Sequence, residues 1–77
     1  MPDTLWKEAE LCLGSVIEPA EWNRAKGCAE RKLGLILERY GDADGARREP
    51  WYLAQLIAEA VRGERLSRIL AQLFPVR

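Results

Sequence analysis

Few residues in this chain are equipped for catalysis. Its 77 residues include 2 cysteines, no histidine, and 12 acidic side chains against 12 basic ones. Without an imidazole there is no ordinary Ser-His or Cys-His pair to activate a nucleophile. Cys12 and Cys28 do not form a Cys-x-x-Cys unit, and no spacing of cysteine with carboxylate makes a zinc set. No phosphate-cradling glycine loop, Gly-x-Ser-x-Gly elbow or dinucleotide fingerprint occurs. The chain reads as a non-enzymatic protein with no metal and no cofactor.

The segment Asp42-Ala43-Asp44-Gly45 begins like a calcium loop, but the pattern fails where carboxylates are needed. With Gly45 at the sixth position, Tyr40 and Trp51 fall at the first and twelfth, so the expectation is a solvated turn. The cysteines also have a structural reading. If the first two helices form a hairpin, the two cysteines are offset by roughly 10 Å at 1.5 Å per residue. That exceeds the Cα separation of about 7 Å a disulfide tolerates. They are expected to be reduced and to serve as small buried hydrophobes.

Binding chemistry offers more. Arg47 and Arg48, with Arg62, Arg65 and Arg68, could touch phosphates, which makes a small helical nucleic-acid-binding regulator the alternative reading. A helix-turn-helix centred on Gly63 fails, because Glu59 and Glu64 fall where Ala and an apolar residue belong. Glu49, Glu59 and Glu64 interleave with the arginines as on an ordinary solvated face. The net charge is zero, but the first 23 residues set Lys7 against Asp3, Glu8, Glu10, Glu18 and Glu21. That acidic front could dock on a basic groove; the simpler reading is that Asp3, Glu8 and Glu10 favour the positive end of their helix.

Trp6, Trp22 and Trp51 each fall near the start of a predicted helix. In an up-and-down bundle Trp6 and Trp51 would lie at one end and Trp22 at the other. Trp51 and its neighbour Tyr52, which follow a polar loop, are the aromatic candidates for an interface.

The elements that position these groups are helical. Apolar periodicity and helix start signals predict an all-α, three-helix bundle spanning residues 1–77 as one domain, with helices at about 4–13, 19–40 and 50–74 and a loop at 41–49. Asp3 or Thr4 caps the first helix, and Leu5, Ala9, Cys12 and Leu13 share one face. Pro19 and Pro50 open the other two helices at the position where a missing N–H costs nothing. Ile17 and Trp22 are spaced as a hydrophobic staple. The second helix shows the stripe Trp22, Ala25, Ala29, Leu33, Ile36 and Tyr40, widened by Leu37 and Cys28. Gly27 and Gly34, seven residues apart, invite a close helix approach, although surface glycines explain them equally well.

The last helix contains a conflict. Leu53, Leu56, Ile57, Ala60 and Val61 make one stripe, and Leu66, Ile69, Leu70, Leu73 and Phe74 make another, out of phase by about 140°. One straight helix cannot bury both against the same neighbours. Either the chain turns near Gly63 into a fourth helix, or the helix bends or projects and turns its last apolar face elsewhere; with no capping residue there, the second is favoured.

The stripe at Leu66, Ile69, Leu70, Leu73 and Phe74, with Trp51 and Tyr52, is therefore the expected partner-binding set. The function expected is that of a small regulatory or adaptor protein, an inhibitor or modulator of a larger protein or a self-associating one, with a homodimer as one form. No run approaches the roughly 20 apolar residues of a membrane helix, and the N-terminus lacks a secretory signal pattern, so a cytoplasmic protein is expected.

Overall fold

The computed structural model describes residues 4–75 and is all-α. It comprises α1 (Thr4–Leu13), α2 (Pro19–Tyr40), a 3-10 turn (Ala46–Arg48) and α3 (Pro50–Leu73). Among the described residues there is no strand. Thr4 is the first residue of α1; a cap from Asp3 lies outside the described residues. No helix among the described residues is long and apolar enough to cross a membrane.

Both prolines stand where their chemistry requires. Pro19 and Pro50 open α2 and α3. At the start of α2 the Glu18 N–H donates to Glu21 Oε1 at 3.0 Å, satisfying a backbone donor the helix itself cannot. Ile17 and Trp22 are both buried in the core on either side of this turn, as a staple predicts. Gly14, with φ of 78°, ends α1 in a left-handed turn.

The loop after α2 is tightly organised. Ala43, Asp44 and Gly45 are successively left-handed, with φ of 51°, 58° and 89°. Arg47 Nη1 donates to the carbonyls of Tyr40 at 3.2 Å and Gly41 at 2.8 Å, so its charge sits on the negative end of α2. Arg48 pairs with Asp42 at 3.5 Å.

Helix α3 is the common support on which α1 and α2 pack. Its buried residues Ala54, Leu56, Ile57 and Val61 meet Ala9 of α1, Ile17 of the linker, and Trp22, Ala25 and Ala29 of α2, and Ala58 is buried on the same helix. Alanine provides half of these positions, which lets the helices approach closely but leaves little apolar volume. Two stacked tryptophans supply much of the rest. Trp6 lies on Trp22 with ring centroids 4.9 Å apart and an interplanar angle of 6°. Trp6 Nε1 donates to the Ile17 carbonyl at 3.2 Å.

Several sequence expectations are corrected. Trp6 joins Trp22, not Trp51, because α1 folds back over the start of α2 through a linker of only five residues, 14–18. Cys12 and Cys28 are free thiols as expected but exposed, not buried. At about 100° per residue, Cys28 lies a quarter-turn away from the Trp22, Ala25 and Ala29 line, and Cys12 is at the edge of the Leu5, Ala9 and Leu13 line. Tyr40 is on its helix's apolar line but exposed, because the line runs past the end of the core there; Arg47 lies 5.9 Å from its ring centroid.

The glycines of α2 do not mark a close approach. A Cβ at Gly34 would meet nothing within 4 Å, and one at Gly27 only the tip of Arg31 at 3.6 Å. Gly34→Ala is accordingly expected to stabilise the fold by about 1 kcal/mol, through helix propensity alone. Urea denaturation measures it, and a loss of stability would reveal packing at this position.

Candidate functional site

The core-facing line of α3 runs through Ala54, Ala58, Val61 and Arg65, spaced by four, three and four residues. It ends in a charge, and that charge is fully engaged. Arg65 Nε donates to Glu21 Oε2 at 2.8 Å, and Nη2 to Glu21 Oε1 at 2.9 Å. Nη2 also donates to the Val16 carbonyl at 2.7 Å, and Nη1 to Ser15 Oγ at 3.0 Å. One planar guanidinium thus joins α3 to the first turn of α2 and to the linker from α1.

Glu21 is 6% exposed, the only charged residue among the buried ones described. The Arg65 hydrogen bonds, aided by the Glu18 N–H and opposed by burial, lower its pKa from 4.5 to about 2. The same contact raises that of Arg65. Neighbouring carboxylates serve the scaffold too: Glu10 Oε2 accepts the Ile17 N–H at 2.7 Å, and Glu64 pairs with Arg24 at 2.7 Å and Arg68 at 3.0 Å. Glu8 Oε2 is buried without a hydrogen-bond partner.

Past Arg65 the two sides of α3 exchange character. The helix continues through Gly63 to Leu73, so the chain does not turn into a fourth helix there. Its apolar residues are now largely uncovered by α1 and α2. Leu66, Ile69, Leu70, Leu73 and Phe74 are all exposed, between 46% for Leu70 and 70% for Phe74. Where Leu66 and Ile69 meet the end of α1 they line an open groove of about 480 Å³ with Leu13, Ser15, Arg62 and Arg65. A second groove of about 470 Å³ adjoins it at Ser15 and carries the exposed Leu11 and Val16. Sequence periodicity missed those two residues, because one sits off the α1 stripe and the other in a linker.

No protein-family model, curated protein or solved structure matches this chain.

The remaining predicted site residues are dispersed. Trp51 is 46% exposed and meets Tyr52 edge-on at 5.7 Å, while Tyr52 is half-buried against the core. Nineteen residues of helix separate Trp51 from Leu70, roughly 28 Å at 1.5 Å per residue, so the aromatic pair does not join the tail stripe.

The basic residues divide between the same two ends. Arg47 caps α2, Arg48 pairs with Asp42, Arg65 holds Glu21 and Arg68 pairs with Glu64. Arg62 is exposed and makes no ion pair among the described residues. Among those residues, too, no group of three or more His, Cys, Asp or Glu side chains is placed to hold a metal ion.

Proposed function

We propose that this chain is a small non-enzymatic regulatory or adaptor protein, working in the cytoplasm, that modulates or links other molecules by binding protein through the C-terminal face of α3. The carrying observation is the exposed stripe Leu66, Ile69, Leu70, Leu73 and Phe74 on a helix that otherwise supports the core. Keeping large apolar side chains in water is costly unless a partner covers them, and contiguous patches of this kind on small proteins mark interaction sites. Internal engagement of Arg47, Arg48, Arg65 and Arg68 favours this reading over nucleic-acid binding, since phosphate contacts would compete with the carbonyl hydrogen bonds of Arg47 and the ion pairs of the other three.

The test is affinity capture from the native host with the wild type beside a Leu66→Ser, Leu73→Ser variant. The variant is expected to keep its helical circular dichroism and cooperative melting while losing the captured protein. An unchanged captured set, or loss of helical structure in the variant, would refute the proposal. Salt-sensitive retention of the wild type on duplex DNA at low ionic strength would instead support the nucleic-acid alternative.

A further inference from the structure

We infer that the occupant of the tail stripe is a second copy of this chain, paired antiparallel along the C-terminal half of α3. The inference rests on the stripe being a docking face and adds what docks there.

Three observations carry it. The first is area. At the exposures of these five side chains, the stripe offers roughly 500 Å² of apolar surface, near the upper range for a patch on a monomer. Two copies would together bury at most roughly 1,000 Å², at the lower bound for a specific interface. The second is charge. Between Leu66 and Pro75 the only charged residue is Arg68, which points away from the stripe and is paired with Glu64. Within the segment 66–74 nothing on the face selects a partner of opposite charge; the exposed Arg62 lies one turn before it, and a chain of net charge zero does not repel its own copy.

The third is fit. A two-fold axis between Ile69 and Leu70 sets Leu66 opposite the second copy's Leu73, and Ile69 opposite its Leu70. At about 100° per residue, Gly63 and Ser67 flank the stripe on one side, and Phe74 caps the helix one residue beyond Leu73. In the antiparallel register the second copy's Phe74 falls at the height of residue 65, between those two small residues. Both are exposed, and a Cβ at Gly63 would meet nothing within 4 Å. Gly63 is otherwise a poor choice in the middle of a 24-residue helix. Here it forms one wall of a recess that receives a phenyl ring.

Sedimentation equilibrium of the intact chain at micromolar to submillimolar concentration tests this. The expected mass is twice 8.8 kDa, falling to the single-chain mass for Leu70→Glu with its helical circular dichroism intact. Gly63→Gln is the register test. It improves helix propensity and so raises the melting temperature of the monomer, yet it fills the recess and weakens dimerisation about tenfold or more. A wild type that stays monomeric, a Leu70→Glu variant that still dimerises, or a Gly63→Gln dimer as tight as the wild type would each overturn the inference. A monomeric wild type that still captures a different protein through the stripe overturns only the second copy. Failure of capture by wild type and dimer alike to depend on the stripe removes the docking face itself.

Discussion

Replacing Arg65 with alanine is expected to lower the urea midpoint clearly, because it leaves the buried Glu21 carboxylate without its counter-charge. The loss is moderated because the Arg65 side chain is 33% exposed and water can partly take its place. A lysine should recover only part of it. One ammonium cannot reproduce a fork that serves two carboxylate oxygens, a carbonyl and a hydroxyl together.

The same pair sets an acid limit. Because the folded-state pKa of Glu21 lies near 2 and its ordinary value is 4.5, the folded protein holds the carboxylate charged where the unfolded chain would protonate it. Its contribution is complete above the unfolded value and is lost as pH falls from 4.5 toward 2. Urea midpoints measured across that window should drop in the wild type and change much less in Glu21→Gln. Parallel pH dependence in the two proteins would mean that other carboxylates set the acid limit.

The second large effect is expected in the core. Ile57 is completely buried and is among the largest side chains that are. Ile57→Ala should cost about 3–4 kcal/mol, the transfer loss plus a cavity that its alanine neighbours have no side chain to fill. Ile57→Val should cost about 1 kcal/mol. Leu70→Ala on the tail, in contrast, should change stability by less than about 0.5 kcal/mol when measured on the monomer. Equal losses at Ile57 and Leu70 would place the tail stripe in the core and remove the basis for a docking face.

These two expectations differ because α3 does two jobs in succession. From Leu53 to Val61 its apolar side chains pack in the core with α1 and α2, and beyond Arg65 they are largely exposed. Arg65 stands at the changeover and uses its charge to close the bundle at the point where apolar packing stops. The Trp6 and Trp22 stack, Ile17 and the Arg65 fork all gather where the linker meets α2. A core rich in alanine depends on this corner for much of its cohesion.

Much of this was legible from residue spacing. Pro19 and Pro50, the period of the α2 stripe, and Gly41 located the helices because those signals act within a turn or two of backbone. The 140° phase break in α3 likewise identified the tail face, since helical geometry is fixed locally whatever packs against it. Tertiary structure decided the rest. Periodicity assigns a face but not its width, so Cys12, Cys28 and Tyr40 belong to apolar stripes and yet lie outside the contact.

Pairings across the fold were hidden for the same reason. Trp6 finds Trp22 only because the 14–18 linker folds back, and Arg65 finds Glu21 forty-four residues away. One clue to that pair was present: an arginine continuing the line of Ala54, Ala58 and Val61 must find a carboxylate if the line is buried, because a lone buried charge is too costly. Which carboxylate it finds depends on how two helices dock against a third. Local propensity carries no record of that, and only the folded chain supplies it.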